Sequence, residues 1–257
     1  MKMSFISPTK YIKEFQSQGD FILALSHLID HDKENDYEKA IKKTNLPILL
    51  DNGAFENSHP EGIDSLIRKA RKIKAEKFFA PDHLFNSKAT KDAVNITIDI
   101  LKTLQQRKHF KIGAVVQADN QKDWIDQYVD FTENSEIDFI GLSILSIPKS
   151  WGKSITESRI ECFKELIKLN IEHKSCHMLG LGENYEDIKF AIKNCPWIES
   201  NDTSSCFMTG LNKIKYDENL IIPGGKIKEK MDFNLSKLTQ KQKECIQYNI
   251  DLVKKLN

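Results

Sequence analysis

Three aspartates and a glutamine close short apolar runs in this sequence: Asp51 ends PILLDN, Asp82 ends KFFAPD, Gln117 ends KIGAVVQ and Asp202 ends WIESND. Together they suit the breaking and re-forming of a glycosidic bond. One ionised carboxylate attacks a carbon that is becoming positive, and a second carries a proton to or from the leaving group. The remaining carboxylate and carboxamide read the edge of a planar ligand. Each aspartate taken singly also fits a cap on the following helix, although capping does not account for a glutamine at the end of an apolar strand. Phe55, four residues beyond Asp51, offers either a stacking face or a core ring. His27 and His177 also fall at strand ends and His83 follows Asp82, but no third ligand joins them, so no metal is expected.

Residues at strand ends meet only if the strands lie side by side. Apolar runs at 3–7, 21–27, 47–52, 77–82, 111–117, 138–144, 175–181 and 197–202 alternate with amphipathic, charge-rich segments, the pattern of βα units around a parallel sheet. The intervening helices are expected at 11–18, 35–44, 63–75, 91–107, 122–134, 156–170 and 185–195. Residues 238–256 form a last helix that closes the ring, with Thr239 at its start. Eight such strands predict a single (β/α)8 barrel over residues 1–257, with its chemistry at the C-terminal ends of the strands. Neither GxGxxG nor a P-loop sequence is present, which argues against a doubly wound nucleotide-binding fold. Residues 210–233 show no clear period and read as a lysine-rich loop or hairpin.

At 257 residues and 40% hydrophobic composition the chain can bury one large core. The net charge of +1 excludes a globally basic binder, so any polyanion has to be held by a local patch. The five cysteines are odd in number, widely spaced and without a CxxC pair, which fits reduced thiols. No stretch has signal-peptide or membrane-span character, and a soluble cytoplasmic protein without a membrane partner is expected.

The ordered strand-end motifs resemble those of the tRNA-guanine transglycosylase superfamily, whose members exchange guanine in a nucleic acid for a 7-deazaguanine. LLDNGAFE is similar to the family's T-D-S-G-G-F-Q, FFAPD to its base-reading aspartate motif, and IGAVVQAD to I-V-Q-G-G. FIGLSI, HMLGLGENYEDI and ESNDTSS stand where the family has G-G-L-A-V-G-E, Y-L-M-G-V-G-x-P-E-D and the nucleophile strand. The resemblance implies Asp202 as nucleophile and Asp51 as general acid/base. It implies base contacts from Asp82, Gln117, Gly141, Leu142, Leu179 and Gly180, with Phe55 stacking. It further implies a pentosyltransferase working by double displacement, without a cofactor, on a target nucleotide that is flipped out or single-stranded.

This chain departs from the pattern in three places. It has no C-x-C-x2-C…H zinc segment, Glu56 stands for the motif's glutamine, and Ser143-Ile144-Leu145 departs from A-V-G-E. Without the zinc-binding subdomain it looks most like the compact DNA-guanine transglycosylases (DpdA-like), which makes DNA the expected partner and a 7-deazaguanine base the small substrate. Such an enzyme acts in the cytoplasm, a host's if the gene is viral. A tRNA-directed enzyme, a nucleoside glycosylase and an inactive binding paralogue are the alternatives. Lys213, Lys215, Lys226 and Lys228 are candidates for a phosphate track beside Asp202, against the alternative of a solvated lysine face.

Overall fold

The computed structural model describes residues 1–30, 36–227 and 229–256. Eight parallel strands form the sheet: β1 (Lys2–Phe5), β2 (Ile22–Ala24), β3 (Ile48–Leu50), β4 (Lys77–Phe79), β5 (Lys111–Val116), β6 (Phe139–Leu142), β7 (Cys176–Met178) and β8 (Ile198–Thr203). All eight lie within or across the runs read from the sequence, though most are shorter. Their order, β1-β8-β7-β6-β5-β4-β3-β2, is that of a nearly closed (β/α)8 barrel. Hydrogen-bonded ladders join every neighbouring pair except β1 and β2. Single contacts hold that seam: Leu23 N–H donates to Ser4 Oγ at 3.0 Å, Met3 N–H to the Asp20 carboxylate at 2.8 Å and Asp20 N–H to the Met3 carbonyl at 2.8 Å.

The outer layer consists of α1 (Asp36–Lys42), α2 (Ala54–Asn57), α3 (Ile63–Ile73), α4 (Ser87–Thr103), α5 (Gln121–Glu133), α6 (Ser146–Trp151), α7 (Ile155–Lys168), α8 (Glu186–Asn194), α9 (Ser205–Leu211) and α10 (Gln240–Val253). The helix expected at 11–18 is instead two 3-10 turns, Thr9–Tyr11 and Gln16–Gln18. Its residues serve the open seam rather than a helix: Gln16, almost wholly buried, donates to the Leu23 carbonyl at 3.2 Å. Three short helices, α2, α6 and α9, escape sequence reading because four to seven residues are too few to show a period. Residues 210–233 form no strand among those described, so the hairpin alternative does not hold, and Gly210 belongs to α9. The closing helix α10 starts with a capping box between Thr239 and Gln242 and packs on α9. A Cβ on Gly210 would lie 2.5 Å from Ile246. All five cysteines are buried and unpaired.

Inside the barrel, two phenyl rings lie where two strands carry no side chain. A Cβ on Gly113 would lie 2.3 Å from the Phe139 ring, and one on Gly141 would lie 2.8 Å from the Phe79 ring. Phe79 and Phe139 pack 5.1 Å apart and, with Phe21, make the hydrophobic floor beneath the strand ends.

Candidate active site

Strand alternation sets which residues rise above this floor. Because Phe139 and Gly141 face inward, Ser143 is the next inward position beyond β6, and by the same count Gln117 follows Gly113 and Val115 on β5. Leu142 therefore points outward; its carbonyl accepts from Leu179 N–H at 3.1 Å. Of the two residues expected against the base from β6, Gly141 lies one layer down under Phe79 and Val115, and Leu142 belongs to the wall. The polar group that β6 sends to the mouth is Ser143.

Asp51, Asp82, Gln117 and Asp202 do converge there. Asp82 is almost fully buried; it accepts from Asn52 Nδ2 at 2.5 Å and from Gln117 Nε2 at 2.6 Å. Gln117 is oriented by its other end, since Phe85 N–H donates to Oε1 at 3.2 Å and leaves Nε2 facing Asp82 and Ser143. Asn52 is fixed likewise, donating to the Ala80 carbonyl at 2.7 Å and accepting from Ala54 N–H at 3.0 Å. Asp51 accepts from Gly53 N–H at 2.9 Å, and Gly53 is left-handed (φ +77°), with no room for a Cβ beside Ser26 Oγ. The turn into α2 is thus built from two successive Asx turns, the first of which aims Asp51.

Asp202 is held by two donors on one oxygen. Its Oδ1 lies 3.0 Å from His177 Nε2 and accepts from Gly180 N–H at 3.0 Å, while Oδ2 has no hydrogen bond among the described residues. His177 stands between the rings of Phe21 and Phe79, with Nδ1 2.9 Å from Ser200 Oγ. With Nε2 carrying the proton, Ser200 donates to Nδ1 and the imidazole donates to the carboxylate.

The mouth stores protons. Burial, the neighbouring Asp202 charge and partial relief from Gly53 N–H leave Asp51 raised to about 6. Burial and the charge on Asp51 raise Asp82 to about 7 against the pull of two amide donors. Glu56, on α2, is raised to about 8 by burial and by Asp51 and Asp202, and sits 3.9 Å from His27 Nδ1. The three carboxyl groups raised in this low-dielectric cup do not all ionise near neutrality.

The loop after β7 is braced from behind. Arg159 of α7, wholly buried, donates to the carbonyls of Leu179 and Gly180 and pairs with Asp187 at 3.1 Å. Asn201 Nδ2 adds bonds of 2.8 Å to the carbonyls of Met178 and Gly180. Gly180 thus reaches Asp202 through its N–H, while Leu179 has both backbone groups committed, its N–H to the Leu142 carbonyl and its carbonyl to Arg159.

Phe55 is 58% exposed at the rim, available as a stacking face and not a core ring. Lys226 and residues 229–236 lie at the mouth: Lys226 Nζ donates to the Leu181 carbonyl, the Phe233 carbonyl accepts from Thr9 N–H at 3.2 Å, and the Phe233 ring lies 5.6 Å from that of His27. Lys213 and Lys215 are elsewhere. They follow the C-terminal end of α9 on the outer surface, with Lys215 over the Tyr248 ring of α10 at 4.6 Å. Lys228 lies outside the described residues. Arg159 went unremarked in the sequence, and Asn52, Ser143, His177 and Glu56 were not counted as site residues. The two histidine and glutamate positions carried a signal, a strand-end place and a motif departure, whereas Arg159 sits in the helix sequence ESRIEC with nothing to mark it.

No family model and no curated protein matches the chain. Among the described residues no three His, Cys, Asp or Glu side chains form a metal-binding group, and no helix is long and apolar enough to cross a membrane.

Proposed function

We propose that the chain is a base-exchange transglycosylase that replaces guanine in DNA by a 7-deazaguanine derivative. The observation that carries the reading is Asp202: one oxygen fixed by His177 and Gly180 N–H, the other without a hydrogen bond among the described residues, in the same mouth as Asp51, which is raised to about 6. Asp202 Oδ2 attacks C1′ of an extruded nucleotide, the bond to the guanine nitrogen breaks, and the electron pair leaves with the base, which takes a proton from Asp51. The incoming base gives a proton back to Asp51, and its nitrogen displaces Asp202 from C1′. Asp82, Gln117 and Ser143 supply the polar edge that reads the base, with Asn52 fixing the Asp82 carboxyl, and Phe55 stacks on an exposed face. Lys226 and Lys230, which acts on Glu56 electrostatically, put positive charge beside the carboxylates for a phosphate backbone.

Incubation with radiolabelled guanine and, separately, bulk DNA and bulk tRNA tests this. Acid-precipitable label is expected in DNA with the wild type and absent with Asp202→Asn. Label in tRNA alone keeps the chemistry and overturns the choice of nucleic acid. Label in neither, or full turnover by Asp202→Asn, overturns the reading.

A further inference from the structure

A wholly buried guanidinium is costly, and a buried ion pair is a poor source of stability compared with apolar packing of the same volume. Arg159 has no exposed atom, and its bonds go to three places: the Asp187 carboxylate, the Leu179 carbonyl and the Gly180 carbonyl. Two of the three are backbone groups of the loop that carries the Gly180 N–H to Asp202. The loop is under conformational demand at that point. Gly180 is left-handed (φ +70°), and a Cβ on it would lie 3.0 Å from Ile144. Asn201, next to Asp202 on β8, grips the same Gly180 carbonyl at 2.8 Å. The Leu179–Gly180 peptide is therefore held on both sides, its carbonyl by Arg159 and its N–H by Asp202, while Arg159 and Asn201 together hold the carbonyl of the next peptide.

The geometry points to Arg159 as a positioning residue for Asp202, acting through the Leu179–Gly180 peptide. The guanidinium fork fixes the direction of the Leu179 and Gly180 carbonyls. That direction sets the Gly180 N–H, and the N–H together with His177 decides which carboxylate oxygen is tied and which faces the mouth. Asp187 keeps the fork in plane and supplies the counter-charge that a buried guanidinium requires. Lysine carries the same charge but cannot span two carbonyls and a carboxylate, so Arg159→Lys separates the positioning role from charge alone.

This inference rests on the proposed role of Asp202, so its test needs a readout that does not depend on turnover. The chain has 11 glycines, and selective 15N-glycine labelling makes the Gly180 amide resonance observable. In the wild type that resonance is expected to move strongly on Asp202→Asn, because the carboxylate acceptor becomes a neutral amide. In Arg159→Lys, and in Asp187→Asn as the second variant should the first fail to fold, the Gly180 amide is expected to lose its downfield position and to respond weakly to Asp202→Asn. A Gly180 resonance unchanged in either folded variant overturns the proposal. In parallel, single-turnover exchange by Arg159→Lys is expected to fall on the order of 10- to 100-fold while guanine affinity stays within about twofold, as for a small misplacement of the attacking group. Turnover at the wild-type rate, or turnover and guanine affinity falling together, also overturns it. A wild type without exchange defeats the reaction reading alone, since the glycine resonance still reports on Arg159.

Discussion

At the scale of single residues, the site is organised by what holds each polar group. Amides with both ends committed hold Asp82. Gln117 is locked by the Phe85 N–H, and Asn52 by Ala54 N–H and the Ala80 carbonyl. His177 does the corresponding work for Asp202, and it has no solvent to replace its bond, being buried between Phe21 and Phe79. His177→Phe keeps the ring in that stack but leaves Oδ1 with Gly180 N–H alone. It is expected to lower the exchange rate about 10- to 100-fold with guanine affinity nearly unchanged, which single-turnover kinetics beside equilibrium binding will show. Asp51 makes a separate prediction. Its position near 6 should appear as a limb of the pH–rate profile at about that pH, and Asp51→Asn, which can still accept the Gly53 N–H, should remove the limb. A limb that survives in Asp51→Asn assigns the proton transfer to another group.

At the scale of elements, the two glycines in adjacent strands decide how high the floor stands. Gly113→Ala drives a methyl into the Phe139 and Phe79 rings, and overpacking of this kind costs about 1–3 kcal/mol. The loss should appear as a lower urea midpoint, and Phe139→Leu in the same chain should recover part of it, a coupling that a double-mutant cycle measures. Simple additivity of the two changes would mean that the rings relax independently of Gly113. These glycines also mark what could be read from sequence. The eight strands were legible because each is an apolar run bounded by charge or turn residues, and the strand-end polar groups were legible because barrel topology sends them to one mouth. Gly141 was read as a contact because its depth depends on Phe79, a residue 62 positions away. The turns at 9–18 hid behind a helical spacing that the Gln16 bond to the Leu23 carbonyl and the Asp20 bonds to Met3 override, and Lys215 was placed beside the mouth because the sequence does not reveal that α9 carries the chain away from it.

At the scale of the whole molecule, the buried carboxyls set how stability responds to pH. Asp51, Asp82 and Glu56 all have folded pKa values above those of the unfolded chain, near 6, 7 and 8. Between about pH 4 and those values the folded state binds more protons than the unfolded one, so the slope of unfolding free energy with pH is negative. Stability from these groups is therefore complete below about pH 4 and is lost as pH rises toward 8. For Asp82 alone, moving from 3.8 to about 7 corresponds to about 4 kcal/mol at full ionisation. Asp30 and Glu136, lowered by their lysine and arginine partners, work in the opposite sense but finish titrating by about pH 5, and His173, lowered by burial, opposes the trend through its own titration below 6.5. The balance puts maximum stability on the acid side of neutrality. Urea unfolding at pH 5.5 and pH 8.5 should show the wild type weaker at the higher pH. Asp51→Asn should narrow that gap, because removing its charge also lets Asp82 and Glu56 ionise more easily. Equal gaps in the two proteins would mean that the mouth admits enough water to screen the carboxyls from one another and to return Asp51 to the ordinary carboxylate range.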